Sequence, residues 1–140
     1  LEALAISNIT EEEYEAIVKA ALAVDEIIEE EAAKNGLIHV DGKKEFALGD
    51  NREVVLVDTF GTLDEDRWWD SEAYANGECI ELSKEFVRSH YIGTGHQTEL
   101  KIARDQGGEE PPIPALPQSV IDETAALYAS MYERLTSQSF

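Results

Sequence analysis

Val40-Asp41-Gly42-Lys43-Lys44-Glu45-Phe46-Ala47-Leu48, the turn Gly49-Asp50-Asn51, and then Glu53-Val54-Val55-Leu56-Val57-Asp58 form the stretch that decides the fold. Residues 37–48 alternate, and 53–58 are nearly all β-branched or apolar. Two strands around a Gly-Asp-Asn turn predict a β-hairpin. Strand side chains alternate between faces. Ile38, Val40, Phe46 and Leu48 then share one face with Gly42 and Lys44, and His39, Asp41, Lys43 and Glu45 share the other. Acid, base and acid follow each other on that face at roughly 7 Å steps, and Asp58 ends the partner strand. An ATP site uses such groups: carboxylates hold Mg²⁺, which bridges phosphate oxygens, and a lysine offsets developing phosphoryl charge. A solvated face with cross-strand ion pairs has the same pattern.

Before the hairpin, Thr10-Glu11-Glu12-Glu13 reads as a capping box opening a helix. Tyr14, Ile17, Ala21, Val24, Ile28 and Ala32 repeat at helical spacing, and Asn35-Gly36 stops it. After the hairpin, residues 59–81 look irregular, with Trp68 and Trp69 as anchors. Ser83 can cap a short helix to about Tyr91, which Gly93 and Gly95 break; a weaker helical turn runs from Thr98 to Arg104. Gly107 to Pro117 is a connector. The last helix spans Gln118 to Leu135, with Val120, Thr124, Leu127, Tyr128, Met131 and Leu135 on one side. The expected class is α/β (α+β): a hairpin, part of an antiparallel sheet, covered by two long helices, with residues 1–140 as one domain.

Composition narrows the function. Thirty Asp and Glu face 11 Lys and Arg, a formal net charge of −19. Such a surface repels phosphate backbones and anionic lipid, so no nucleic-acid or membrane partner is expected. An anionic substrate then needs a local basic patch, and few cations are available to make one. Arg67 stands among acids in Thr59-Phe60-Gly61-Thr62-Leu63-Asp64-Glu65-Asp66-Arg67-Trp68-Trp69-Asp70, where its fork suits a phosphate or carboxylate. A structural pair with Asp64 or Asp66 is the plainer role for it. Lys84 and Arg88, four apart on one helix face, complete the patch, or are ordinary helix-surface charge.

Other signals are weak. The acidic segment from Asp64 fails as a calcium loop, with Trp69 sixth and Ala75 twelfth. No Walker A sequence exists, and Gly93-Thr94-Gly95 lacks the rest of a dinucleotide fingerprint. His90 and His96 have no cysteine cluster near them, which argues against zinc. Cys79 is the single cysteine, so no intrachain disulfide forms, which fits a reducing, cytoplasmic setting. The chain begins at Leu1 rather than Met, from which a fragment or a processed chain is expected.

Val40-Asp41-Gly42-Lys43-Lys44-Glu45-Phe46, Leu56-Val57-Asp58, and Asp64-Glu65-Asp66-Arg67-Trp68-Trp69, in this order, resemble the SAICAR synthetase family. Ser83-Lys84-Glu85-Phe86-Val87-Arg88 and the tail from Pro114-Ala115-Leu116-Pro117 to Tyr132-Glu133-Arg134-Leu135-Thr136 extend the resemblance over nearly the whole chain from Glu12. The resemblance implies an ATP-dependent ligase of purine biosynthesis. It would join L-aspartate to an imidazole carboxylate ribonucleotide through an acyl phosphate. It also implies roles: Glu45 and Asp58 as Mg²⁺ ligands, with Lys43 beside them at the ATP; Asp41 and Lys43 as catalytic partners of the reacting carboxylate; Arg67 on the ribotide phosphate with Asp64 nearby; Lys84 and Arg88 as substrate anion contacts. Two positions depart from the family pattern: Thr59, where Glu is common, and Gly42, where an aromatic or Thr is common. The family's glycine-rich phosphate loop is absent, so the chain is expected to be the C-terminal half, completed by an N-terminal half or by further copies. Two rivals stay open: a non-catalytic partner or remnant of the same fold, and an unrelated acidic metal-binding or interaction module.

Overall fold

The computed structural model describes residues 2–140. A short helix, α1 (Glu2–Ser7), precedes the first long one, α2 (Glu11–Lys34). Thr10 caps α2 as expected. Its hydroxyl accepts the Glu13 N–H at 3.2 Å, and the Glu13 carboxylate accepts the Thr10 N–H at 2.7 Å. Both halves of the box satisfy amides that a helix start leaves unpaired. Arg52, in the hairpin turn, donates to the same Glu13 carboxylate at 2.5 and 2.7 Å and so ties the helix start to the sheet. Thr10→Ala is expected to cost about 1 kcal/mol, read as a drop of a few degrees in thermal melting; an unchanged Tm would remove the cap from the account.

The hairpin is half of what the alternation predicts. β1 (Leu37–Gly42) and β2 (Glu45–Leu48) are separate strands. β2 pairs antiparallel with β3 (Val54–Val57), Glu45 opposite Val57, and the turn closes through Gly49 and Arg52. β1 instead pairs with β4 (Asp66–Asp70), a strand inside the segment that looked irregular. The predicted faces change with it. Leu37 and His39 are buried and Asp41 is exposed. An irregularity leaves Val40 unpaired, so that His39 faces Trp68 and Asp41 faces Arg67. His39 and Lys44, expected on opposite faces, converge. His39 Nε2 lies 2.8 Å from Asp66 Oδ2 and Nδ1 3.2 Å from Asp25. Lys44 Nζ lies 3.4 Å from both carboxylates. The Gly61 N–H donates to Asp66 at 3.0 Å. Asp66 and His39 are buried, and buried charge must be paired. That requirement turns the chain at residues 43 and 44 and ends the single long strand.

Asp70 caps α3 (Ser71–Ala75) by accepting the Glu72 and Ala73 N–H groups. α4 (Glu85–Gly93) follows, with the Ser83 hydroxyl accepting the Glu85 N–H at 3.3 Å. Gly95, at a φ of 85° that suits glycine, passes the chain into α5 (His96–Asp105), longer than the turn expected there. α6 (Gln118–Thr136) matches its prediction. The core is small: Ala32, Leu37, Leu63, Trp68 and Met131, flanked by Ile28, Leu82, Leu127, Tyr128 and Leu135. Both long helices reach it, and the predicted stripe of α2 is half-buried at Ile17, Ala21, Val24 and Ile28 and buried at Ala32, with Tyr14 at its start exposed. Arg134 of α6 locks the layers, donating to the Gly36 carbonyl at 2.8 Å and to Asp70 at 3.2 Å. Among the described residues no helix is long and apolar enough to cross a membrane.

Candidate functional site

Lys43 leaves β1 where the chain turns and gathers acids. Its Nζ lies 2.6 Å from Glu45 and 3.9 Å from Glu65. Glu45 above all, then Glu65 and Asp58, raises the Lys43 pKa. Asp58 follows β3 at a φ of 66° and folds back to accept its neighbour Thr59's N–H at 2.8 Å. The left-handed backbone is uncommon for a side chain of this kind, though Asp and Asn tolerate it best. Lys43 thus pairs with Glu45 and Glu65 and lies within the field of Asp58, whereas Asp41, expected on the same strand face, is turned to Arg67 instead. Glu65 carried no sequence signal, because only the loop before β4 brings it round. Among the described residues no three His, Cys, Asp or Glu side chains are grouped closely enough to hold a metal alone. Mg²⁺ takes one or two carboxylates and completes its shell with waters and phosphate oxygens. The hard oxygen donors of Glu45, paired with Lys43, and of Asp58, within the field of the same ammonium, are of the kind that demand calls for.

Asp41 and Arg67 form the second group. They face each other across β1 and β4, and the guanidinium forks onto the carboxylate, with Nε 2.8 Å from Oδ1. Arg67 is thus on a strand rather than in a loop, and its acid is Asp41, not Asp64 or Asp66. The pair holds the Asp41 carboxyl below the usual carboxylate range and raises the Arg67 pKa. The pair therefore persists at neutral pH and is lost only as pH falls through the lowered Asp41 value. Both side chains are about half exposed, where an ion pair contributes little net stability. An incoming phosphate can take the fork over.

The third group lines a cleft of about 500 Å³ between α4, α5 and α6, where Asp64, Lys84 and Arg88 meet Tyr91, His96 and Tyr128. Lys84 donates to the Asp64 carbonyl, and Arg88 pairs with Glu85. The expected basic patch is thus divided: Lys84 and Arg88 share the cleft, and Arg67 sits outside it, within the field of Glu85 and Glu81. Tyr128, which sequence reasoning placed only in the core stripe, donates to Asp64 Oδ1 at 2.7 Å. Burial, with help from Asp64, pushes its hydroxyl up to about 12, so it remains a donor throughout the physiological range. Tyr128→Phe is expected to cost about 1 kcal/mol and to loosen Asp64 and Lys84. Thermal melting together with substrate KM values checks this; an unchanged KM for every substrate would leave Tyr128 purely structural.

Gly42 is explained by its neighbour. A Cβ there would collide with Asp66 Oδ1, a buried oxygen that has no hydrogen-bond partner among the described residues. The buried Asp66 occupies the space that a larger residue at position 42 would need.

A SAICAR synthetase family model matches residues 1–104. The phosphoribosylaminoimidazole-succinocarboxamide synthase of Thermoplasma acidophilum is 51% identical over 99% of this chain and 47% of its own length. That of Thermoplasma volcanium is 47% identical over the same shares. Among solved structures, the SAICAR synthase from Saccharomyces cerevisiae, complexed with SAICAR, superposes with a TM-score of 0.74 at 25% identity, covering 99% of this chain and 43% of that one. A type-2 SAICAR synthetase in complex with ADP shares the fold, with a TM-score of 0.64 at 24% identity over 99% and 44% of the two chains. The chain spans about half the length of the curated relatives it matches.

Proposed function

Because the chain belongs to the SAICAR synthetase family, we propose that it forms the C-terminal, ATP- and substrate-binding part of a ligase that joins L-aspartate to 5-aminoimidazole-4-carboxylate ribonucleotide. The observation that supports this reading is the Lys43–Glu45 pair, with Asp58 in its field, in a chain that also holds Asp41 against Arg67 and is matched to the family along most of its length.

The chemistry follows from the charges. A carboxylate oxygen of the imidazole nucleotide attacks the γ-phosphorus of ATP. The bond to the bridging oxygen breaks, ADP leaves, and an acyl phosphate forms. The aspartate amine then attacks the acyl carbon; inorganic phosphate leaves, the amine proton is lost, and an amide remains. Bound through Glu45 and Asp58, Mg²⁺ would neutralise phosphate charge during the transfer. Lys43, already surrounded by carboxylates, exchanges one of them for a phosphoryl oxygen and offsets charge as it develops. Arg67 leaves the Asp41 carboxylate for the ribotide phosphate, and Asp41 keeps the guanidinium aimed when substrate is absent. Lys84 and Arg88, in the cleft with Asp64, hold the anionic groups of the substrates. Soluble nucleotide and amino-acid substrates suit a cytoplasmic enzyme. Calorimetric titration of Mg²⁺–ATP into the chain assembled with the rest of the family fold tests the ATP part. Binding that needs Mg²⁺ and weakens in Lys43→Ala supports it, and Mg²⁺-independent binding untouched by Lys43→Ala contradicts it.

A further inference from the structure

Two separate stretches of the chain each bury one charged side chain between two that reach the surface. Asp66 is fully buried, with Glu65 and Arg67 on either side of it. The Lys44 side chain is 7% exposed, with Lys43 and Glu45 on either side of it. Successive residues of an extended chain point to opposite sides, so the buried pair lies behind the outward groups. Lys44 Nζ is 3.4 Å from Asp66 Oδ2, while their outward neighbours Lys43 and Glu65 are 3.9 Å apart. The same Asp66 oxygen meets the His39 ring at 2.8 Å and accepts the Gly61 N–H at 3.0 Å. His39 lies two residues before Asp41, and Gly61 three after Asp58. Asp25 of α2 reaches both His39 and Lys44. The other Asp66 oxygen is buried without a hydrogen-bond partner among the described residues and fills the place where a side chain at Gly42 would stand. Donors hold one oxygen and the Gly42 backbone borders the other, which fixes the orientation of the carboxylate.

Stability alone does not account for this arrangement. Apolar side chains of similar volume often serve a core as well as a buried ion pair, and a buried oxygen left unpaired is costly. What directional bonds add is fixed geometry. We propose that Asp66 is a positioning residue: its buried carboxylate, through Lys44, His39 and the Gly61 amide, sets where Lys43 and Arg67 stand relative to each other. The proposal rests on the reading of Lys43 and Arg67 as the groups for ATP and the ribotide phosphate. Asp66 acts on Arg67 along β4 and on Lys43 through Lys44. Its own carboxylate is buried away from both substrates. Misplacing such groups by about 1 Å can cost on the order of a hundredfold in rate, so a rigid support behind them matters.

The test combines steady-state kinetics with arginine NMR on the chain assembled with the rest of the family fold. Asp66→Asn keeps the volume and withdraws the charge. It should raise the KM for the imidazole ribonucleotide and for Mg²⁺–ATP, each about tenfold. Lys44→Met, which keeps the apolar stem but not the ammonium, should raise mainly the ATP value. His39→Leu should raise both, and His39→Gln, which restores an N–H for Asp66, should recover most of that loss. In an Arg67→Ala background, Asp66→Asn should no longer change the ribonucleotide KM, since a residue that acts through another adds nothing once that one is gone. The Arg67 Nε–H signal, identified by its absence in Arg67→Lys, should be one sharp line in the parent and exchange-broadened in Asp66→Asn. An unchanged Arg67 signal overturns the proposal, as does a loss confined to melting temperature and kcat with both KM values in place. Additive effects of Asp66→Asn and Arg67→Ala on the ribonucleotide KM overturn it too. If Asp66→Asn does not fold, Lys44→Met and the His39 variants decide the same question. Failure of the ligase reading looks different: the parent forms no amide, while the Arg67 signal, read without turnover, still decides the role of Asp66.

Discussion

Glu45→Gln and Asp58→Asn, each in the chain assembled with the rest of the family fold, are expected to lower turnover by several orders of magnitude and leave the fold intact. Both carboxylates are exposed and sit beside Lys43, so neither change opens a cavity or strands a buried charge. What each removes is an anionic oxygen proposed to hold Mg²⁺ against ATP, and a neutral amide neither binds the ion as well nor fixes its position. The loss should shrink as Mg²⁺ is raised for whichever ligand acts mainly through affinity. It should persist at saturating Mg²⁺ for the one that sets geometry. Asp58 is the candidate for the second behaviour, because its left-handed backbone and its bond to the Thr59 N–H hold the carboxylate in one place. The measurement is kcat across a Mg²⁺ titration with melting temperatures alongside. Near-wild-type turnover of both variants at saturating Mg²⁺ would remove the metal assignment.

Arg67→Ala should raise the KM for the imidazole ribonucleotide about ten- to a hundred-fold, the loss of one bidentate charge-assisted contact, with a far smaller change for ATP. Arg67→Lys should recover only part, since an ammonium cannot fork. The Asp41–Arg67 pair makes the prediction decisive. If the arginine were only structural, breaking the pair would lower the melting temperature and leave both KM values alone. Because both groups are half exposed, the melting temperature is expected to hardly move. Asp41→Asn should act in the same direction more weakly, by letting the guanidinium wander.

What the sequence made legible was local. The capping box at Thr10, the stop at Asn35-Gly36, the turn after Leu48 and the last helix all depend on neighbours in the chain, and all are present. The pairing of β1 was not legible, because its partner β4 lies in a segment rich in Asp, Glu and Trp that reads as a loop until its buried contacts are known. A strict alternation placed His39 with Asp41 and Lys44 with Phe46. The irregularity at Val40 and the buried Asp66 undo that parity, and neither leaves a periodic trace. Among the candidate residues, Lys43 and Glu45 pair with Asp58 in electrostatic reach, but the turn at residues 43 and 44 and not a continuous strand face brings this about, and Asp41 is held by Arg67 instead. Glu65 and the Tyr128–Asp64 bond depend on contacts far apart in sequence and had no signal. Thr59 remains a departure from the family pattern for which the structure offers no compensation beyond its amide's bond to Asp58.

The most direct test of the central claim is ADP release by this chain assembled with the remainder of the family fold, followed in the presence and absence of each substrate. The account predicts release that requires both the imidazole carboxylate ribonucleotide and Mg²⁺, with one amide product formed per ADP once L-aspartate is supplied. ADP release indifferent to the ribonucleotide, or an assembled and folded complex that forms no amide, would contradict it.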